Sequence, residues 1–238
     1  MMEQHLVKPQ NEKNDWIDYS DYFSNLSLKA FFSYRAFPSN GIKGRKDFAQ
    51  AVGFNSERLI IPEQTHSTNI YLHNSPGSIK NCDGSFSNDR SLFCSIQVAD
   101  CMPIYFGHKI KPLFGLVHVG WRGLVNGILT ESKNLIEGLR LSAIDFDIVI
   151  GPSIQNCCFE VSKDVVGRFN FNFIEKKNNG KYQVDLQKSA LFELESLGFE
   201  RGQIKSSSIC TFCSENKFHS YRRDGEKSGR MIGLFGVT

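Results

Sequence analysis

Three side chains able to bind a metal or perform nucleophilic chemistry stand where an apolar run gives way to polar residues: His66 in PEQTHSTNI, Cys101 in QVADCMPIYF and His118 in FGLVHVGWRG. Two imidazoles and a thiolate form a borderline-soft donor set. Zinc takes such a set with a fourth position left for water, the pattern of a catalytic rather than a structural site. The same residues can be read as a thiol nucleophile, Cys101, with His118 as its base. They can also be three unrelated packed residues, because they lie far apart in the chain and include none of the short ligand pairs of a zinc finger. Spacing leaves the three readings open.

Their neighbours carry further chemistry. Gln64 lies two residues before His66, so in an extended segment both point the same way and Gln64 can hydrogen-bond a ligand or substrate. Asp100 adjoins Cys101 and serves either as a proton shuttle or, facing the other side of an alternating strand, as a group that orients a ligand. Cys210 and Cys213 form a C-x-x-C, but no second C-x-x-C completes a zinc site, and the pair reads as a packed turn. The adjacent Cys157 and Cys158 follow a Gly-Pro break and read as structural thiols.

The elements that must position these residues follow from hydrophobic periodicity. LKAFFSYRAF, RLIIPEQTH, NIYLH, SLFCSIQVADCMPIYF, KPLFGLVHVGWRG and FDIVIGPSI read as strands. GRKDFAQAVGF, residues 123–140 and residues 186–197 have apolar residues at helical spacing, with Gly53 and Gly198 as stops. NCDGSFSND reads as a tight turn, with Asp83-Gly84 supplying a positive backbone dihedral. Strands and helices mix without a regular βαβ alternation, so the fold class is α+β. A polar arm over residues 1–25 and a single domain over 26–238 describe the organisation, since no repeat or linker divides the chain.

Bulk properties narrow the function. A chain of 238 residues, 40% apolar and 22% charged, buries a substantial core without staples. A net charge of +3 with no long basic run does not point to nucleic acid. The first residues lack a secretory apolar core, and no apolar stretch is long enough for a membrane span. The expected location is therefore cytoplasmic, with the seven cysteines as thiols rather than a disulfide framework.

PEQTHS, ADCMPIYF, GLVHVGWRG, GPSIQNCCFEV and CTFCSENKFHSYRRDGEKSGRM occur in this order, and together they resemble the laccase-domain family of purine nucleoside phosphorylases, also called multicopper polyphenol oxidases or peptidoglycan editing factors. The resemblance runs from about Phe32 to Gly233. It implies a four-layer α/β/β/α architecture shared with cysteine hydrolases. It also implies a zinc site on His66, Cys101 and His118 that cleaves adenosine, inosine and methylthioadenosine with phosphate, together with adenosine deamination. Within the matched blocks, Arg35, Arg122, Arg222 and Arg223 are candidates for phosphate, because a guanidinium donates in pairs. The expected substrate-binding set is Arg35, Gln64, Asp100, Arg222 and Arg223, and Trp121 is a candidate to stack on a purine. The loop holding Cys157 and Cys158 is expected near the centre.

A multicopper oxidase needs about ten histidines, many in His-x-His pairs. This chain has six and no such pair, so laccase chemistry is set aside and copper is kept only as a second occupant of the same site. Two competitors remain: a cysteine hydrolase or amidase acting on a cell-wall precursor through Cys101 and His118, and a zinc-binding regulatory module without turnover. Oligomeric state is left open, with a monomer as the default.

Overall fold

The apolar runs of the chain pair into two large sheets, and the computed structural model describes residues 15–37, 41–178 and 180–238. In chain order the strands are Trp16–Asp18 (β1), Leu28–Ser33 (β2), Leu59–Pro62 (β3), Ile70–Leu72 (β4), Gly77–Ile79 (β5), Gly84–Ser87 (β6), Phe93–Val98 (β7), Met102–His108 (β8), Phe114–Val119 (β9), Phe146–Ile150 (β10), Glu160–Val161 (β11), Ile174–Lys176 (β12), Tyr182–Val184 (β13), Ile204–Ser206 (β14) and Met231–Val237 (β15). The first sheet has the order β1-β2-β15-β7-β3-β5 and the second β14-β10-β8-β9-β6-β4, while β11, β13 and β12 form a small third sheet. The helices are Gly41–Ala51 (α1), Trp121–Val125 (α2), Ile128–Gly138 (α3), Lys163–Val166 (α4), Leu186–Ser196 (α5) and Tyr221–Asp224 (α6). Helices and strands are thus mixed, and antiparallel pairings outnumber the parallel joins β3–β5, β3–β7, β4–β6 and β10–β14.

The central strands read as continuous apolar runs because both of their faces are covered. On β8, Ile104 and Phe106 join Ile128, Leu129 and Ile136 of α3 and Ala190 and Leu194 of α5 in one core. Tyr105, on the opposite face, meets Leu116 of β9, Ile96 of β7 and Phe235 of β15 in a second core between the two sheets. Phe31, Leu59, Ile61 and Leu234 face outward from the first sheet against Phe48 and Ala49 of α1. Each fully buried phenylalanine or leucine contributes roughly 1.5–3 kcal/mol, so these clusters hold the sheets rigidly beneath their loops.

Several expectations change in detail. The stretch 123–140 is two helices, α2 and α3, parted at Gly127, whose φ of 92° lies in the left-handed region. Asp83-Gly84 is no turn: Gly84 opens β6, and the positive dihedral falls on Asn81 instead. A Cβ on Gly84 would lie 3.0 Å from Ile70 and 3.1 Å from Val117, so the glycine there answers to close packing. Of the arm expected over 1–25, residues 1–14 lie outside the described residues. The rest is built in: β1 pairs with β2, and Ile17, Tyr19 and Phe23 enter the core between the sheets. Their apolar area outweighs the polar neighbours that made the segment look like an arm.

Candidate metal centre

His66, Cys101 and His118 arrive from three different elements. His118 is on β9, on the same face as Phe114 and Leu116, which pack between the sheets. Cys101 immediately precedes β8, whose Met102 pairs with Val119, so Cys101 stands beside Gly120 at the end of β9. That glycine is required by space: a Cβ there would lie 2.9 Å from both Cys101 Sγ and His66 Cδ2. His66 sits between β3 and β4 with φ 59°, a left-handed conformation that costs a non-glycine residue on the order of 1–3 kcal/mol.

Asp83 holds that conformation. Its Oδ1 accepts the His66 backbone N–H at 3.0 Å, and its Oδ2 accepts the N–H groups of Thr65 at 3.1 Å and Ser67 at 2.7 Å, plus the Ser67 hydroxyl at 2.7 Å. The same Oδ1 lies 2.8 Å from His118 Nδ1, which fixes that nitrogen as the donor and turns Nε2 toward the other ligands. Burial would raise this carboxyl, but the hydrogen bonds from His118 and Ser67 outweigh it and hold it well below the ordinary range.

The ligand atoms of His66, Cys101 and His118 all lie within 4.8 Å of one another. Cys101 Sγ is 3.8 Å from His66 Nε2, and the two imidazoles meet edge to face with centroids 4.8 Å apart. A tetrahedral ion with bonds of about 2.3 Å to sulfur and 2.0 Å to nitrogen asks for about 3.6 Å between those atoms, so the donor set fits a metal. Without one, burial would raise the Cys101 thiol, but the charge and hydrogen bond of His118, and then His66, bring it down to about 6. Burial would lower His118, yet Cys101 and Asp83 lift it to about 9.

The three residues open into a cleft of about 790 Å³ that is also lined by Pro62, Trp121, Ile154, Phe159 and the arginines Arg45, Arg122, Arg222 and Arg230. Arg222 is held flat against the wall, donating to the Glu160 carbonyl at 2.8 Å and the Cys158 carbonyl at 3.4 Å, with its guanidinium over the Phe159 ring. Arg122 lies over Trp121, 4.6 Å from the ring centre.

Other expected substrate contacts are differently employed. Arg35 is not among the cleft residues; its guanidinium donates to the Glu215 carbonyl and pins that loop. Arg223 is likewise off the cleft, paired with Asp224 at 2.8 Å and donating to the carbonyls of Thr211, Phe212 and Phe218. Gln64 lines the cleft, but its amide is spent on β7 and on Arg45: it donates to the Gln97 carbonyl at 2.7 Å and accepts from Gln97 N–H at 2.8 Å and Arg45 at 3.1 Å. Asp100, at φ 79°, gives its carboxylate to the Thr211 hydroxyl at 2.6 Å, the Ser220 hydroxyl at 2.9 Å and the Arg222 N–H at 2.7 Å. It therefore places the arginine wall rather than meeting a ligand with a free oxygen.

Asp83, Arg45 and Arg230 are not among the residues that sequence pattern marks. Asp83 was hidden by its glycine neighbour, which made it look like turn material. Arg45 occupies the inner stripe of α1 beside Phe48 and Ala49 and is almost wholly buried, bonded among the described residues to neutral acceptors on Ser95, Pro62 and Gln64. Burial lowers it to about 10. A cation in an otherwise apolar helical stripe was the available signal.

Two sheets covered by helices, with a His, Cys, His cluster at the ends of their strands, define a class found among known proteins. Residues 25–238 match the family described as multi-copper polyphenol oxidoreductase laccase, and the chain belongs to that family. It is 28% identical over 213 residues to purine nucleoside phosphorylase YlmD of Bacillus subtilis, a match spanning 82% of this chain and 77% of the relative. It is 31% identical over 194 residues to a purine nucleoside phosphorylase of Bacteroides thetaiotaomicron, spanning 74% and 72%. The crystal structure of Bacillus licheniformis hypothetical protein YfiH shares the fold, with a TM-score of 0.89 at 24% identity over 98% of this chain and 100% of that one. Among the described residues no group of histidines of the laccase kind is assembled; the His, Cys, His set and a group of four cysteines are the metal-capable clusters. Among the same residues no helix is long and apolar enough to cross a membrane.

Proposed function

We propose that the protein is a zinc-dependent purine nucleoside phosphorylase, cleaving adenosine, inosine and methylthioadenosine with phosphate to the free base and the corresponding sugar 1-phosphate, with adenosine deamination in the same cleft. The convergence of His66, Cys101 and His118 on the floor of an arginine-lined cleft carries this reading, and relatives named purine nucleoside phosphorylase support it. We also read the two sheets and their outer helices as the four-layer architecture shared with cysteine hydrolases, and the cytoplasm as the place of action.

In this reading His66, Cys101 and His118 hold zinc in preference to copper, since two imidazoles and one thiolate match its usual catalytic set. When bound, zinc supplies Lewis acidity beside the purine. The rest of the work belongs to the chain. Asp83 keeps His118 in one tautomer and His66 in its left-handed conformation. Arg222 and Arg122 draw phosphate into the cleft, and the fixed plane of Arg222 favours paired donation to two phosphate oxygens. Buried Arg45 adds fixed positive potential behind them. Trp121, Pro62, Ile154 and Phe159 offer the apolar walls a purine needs.

The test is product identification by mass spectrometry after incubating wild-type and Cys101→Ala protein with the three nucleosides, with and without phosphate. Free base plus sugar 1-phosphate, formed only with phosphate and lost in the variant, is expected. Unchanged nucleosides with zinc-loaded wild-type protein would end the reading. A cysteine hydrolase is the second reading, favoured by the Cys101 thiol at about 6 beside His118 at about 9, with Asp83 behind. Covalent labelling of Cys101 by a substrate-like electrophile in metal-free protein that still turns over an amide would select it.

A further inference from the structure

We propose that Cys157, Cys158, Cys210 and Cys213 form a second metal site, a tetrathiolate that binds zinc and clips together the two loops carrying the arginine wall. The C-x-x-C lacks a second C-x-x-C in sequence, but the fold supplies the missing pair from a different loop. All four Sγ atoms lie within 4.8 Å of one another. Cys158 Sγ is 3.3 Å and Cys157 Sγ 3.8 Å from Cys213 Sγ. Four sulfurs at about 2.3 Å from one tetrahedral ion stand about 3.8 Å apart, so the cluster has the dimensions of a closed structural site.

Local backbone aims the thiols. The Phe159 N–H donates to the Gln155 carbonyl at 2.9 Å and the Ser214 N–H to the Cys210 carbonyl at 3.0 Å, so each pair rides on a single helical turn. On such turns Cys210 and Cys213, three residues apart, share a face. The two turns are docked by the bridge between Ser153 and Cys210 and by the Thr211 N–H on the Ser153 carbonyl at 3.1 Å. Four thiols this close cannot ionise together unless a cation sits among them, because like charges repel at that range. Cys157 and Cys213 are exposed, which gives an ion a way in. The Arg222 guanidinium, on the Cys158 and Glu160 carbonyls, offsets the net negative charge of a zinc tetrathiolate.

The cluster also accounts for the chain's cysteine content. Cys82 and Cys94 are buried, Cys101 belongs to the first centre, and the remaining four are those gathered here. Position gives the clip a consequence: Thr211 binds Asp100 and the 158–160 backbone binds Arg222, so it holds both ends of the arginine wall.

The experiment is a zinc count by plasma mass spectrometry on protein purified without chelator, with folding checked by circular dichroism. Two equivalents are expected in wild type, one in Cys158→Ser, one in Cys213→Ser and one in His118→Ala. His118→Ala protein loaded with Co2+ should retain thiolate-to-cobalt charge-transfer and tetrahedral ligand-field absorption, and lose both on adding Cys213→Ser. If the cysteine variants misfold, the intensity of the charge-transfer band in wild-type protein still decides, since five cobalt-bound thiolates across two sites absorb far more than one. Unchanged zinc in both cysteine variants, or an intact mass showing these thiols as disulfides in protein purified without oxidant, would overturn the proposal. One equivalent in wild type that survives His118→Ala but not Cys213→Ser would support this site and sink the first.

Discussion

Two buried aspartates support the cleft, Asp100 from its lining and Asp83 from behind His118, and they serve opposite kinds of neighbour. Asp83 spends its oxygens on the backbone of 65–67 and on His118, so it reaches a ligand side chain directly. Asp100 spends its oxygens on Thr211, Ser220 and the Arg222 backbone, all from loops or the start of a short helix. Around Asp83 the ladder of β6, β9 and β8 fixes the geometry before any side chain acts. Around Asp100 one carboxylate ties segments that no sheet holds. Two similarly buried residues of one type therefore differ in reach: the first governs what the metal corner is, the second where the arginine wall stands.

The strongest way to break this comparison is Asp83→Asn. It removes the charge that orients His118 and replaces one of the two acceptor oxygens that hold residues 65–67 with a donor amide, and loss of such a supporting contact costs about 10–100-fold in metal affinity. Zinc titration and kcat/KM should both fall by at least that much; retention of wild-type values would erase the distinction between the two aspartates.

The Cys101 thiol provides a second test, through pH. In metal-free protein its ionisation near 6 makes it largely thiolate at pH 7, and reactivity should fall only as pH drops through about 6. Peptide-mapped alkylation should show this profile. In His118→Ala burial is opposed by His66 alone, so the thiol rises and alkylation at pH 7 slows.

Arg222 and Arg35 sharpen the contrast on the other side. Arg222→Gln removes a charged donor worth about 1.5–3 kcal/mol and should raise the phosphate KM at least about tenfold without emptying the His66, Cys101, His118 centre. Arg35→Ala, off the cleft, should shift that KM less than about twofold, with its cost read as a lower Tm; equal effects on KM would return Arg35 to the site.

Asp100→Asn should act on chemistry less than either Asp83→Asn or Arg222→Gln. Losing charged acceptors for three buried donors costs about 1–3 kcal/mol of stability by denaturant titration. The phosphate KM should rise only several-fold and zinc should stay bound. Zinc loss as severe as in Asp83→Asn would show that both aspartates serve the same corner.

Periodicity carried much of the fold, because strands buried on both faces and helices with one apolar stripe announce themselves locally. It misread Asp83 because a DG pair looks the same whether it turns the chain or packs a glycine against Ile70 and Val117. It misread residues 16–25 because partners for Ile17, Tyr19 and Phe23 come from strands far along the chain. The arginines were the least legible. A guanidinium is equally at home on phosphate, on a carboxylate or on loop carbonyls, and Arg35 and Arg223 chose the last two.

What the sequence determined by itself is the inventory: two histidines and a cysteine at strand ends, seven thiols, and blocks in family order. Donor chemistry is a property of residue type, and strand-end placement follows from local pattern. Only the tertiary structure decided which groups meet. It set Asp83 behind His118, put Gly120 where a side chain would close the centre, and folded two cysteine turns into one cluster. Such meetings depend on sheet order and register, which join residues remote in the chain and leave no trace in local periodicity.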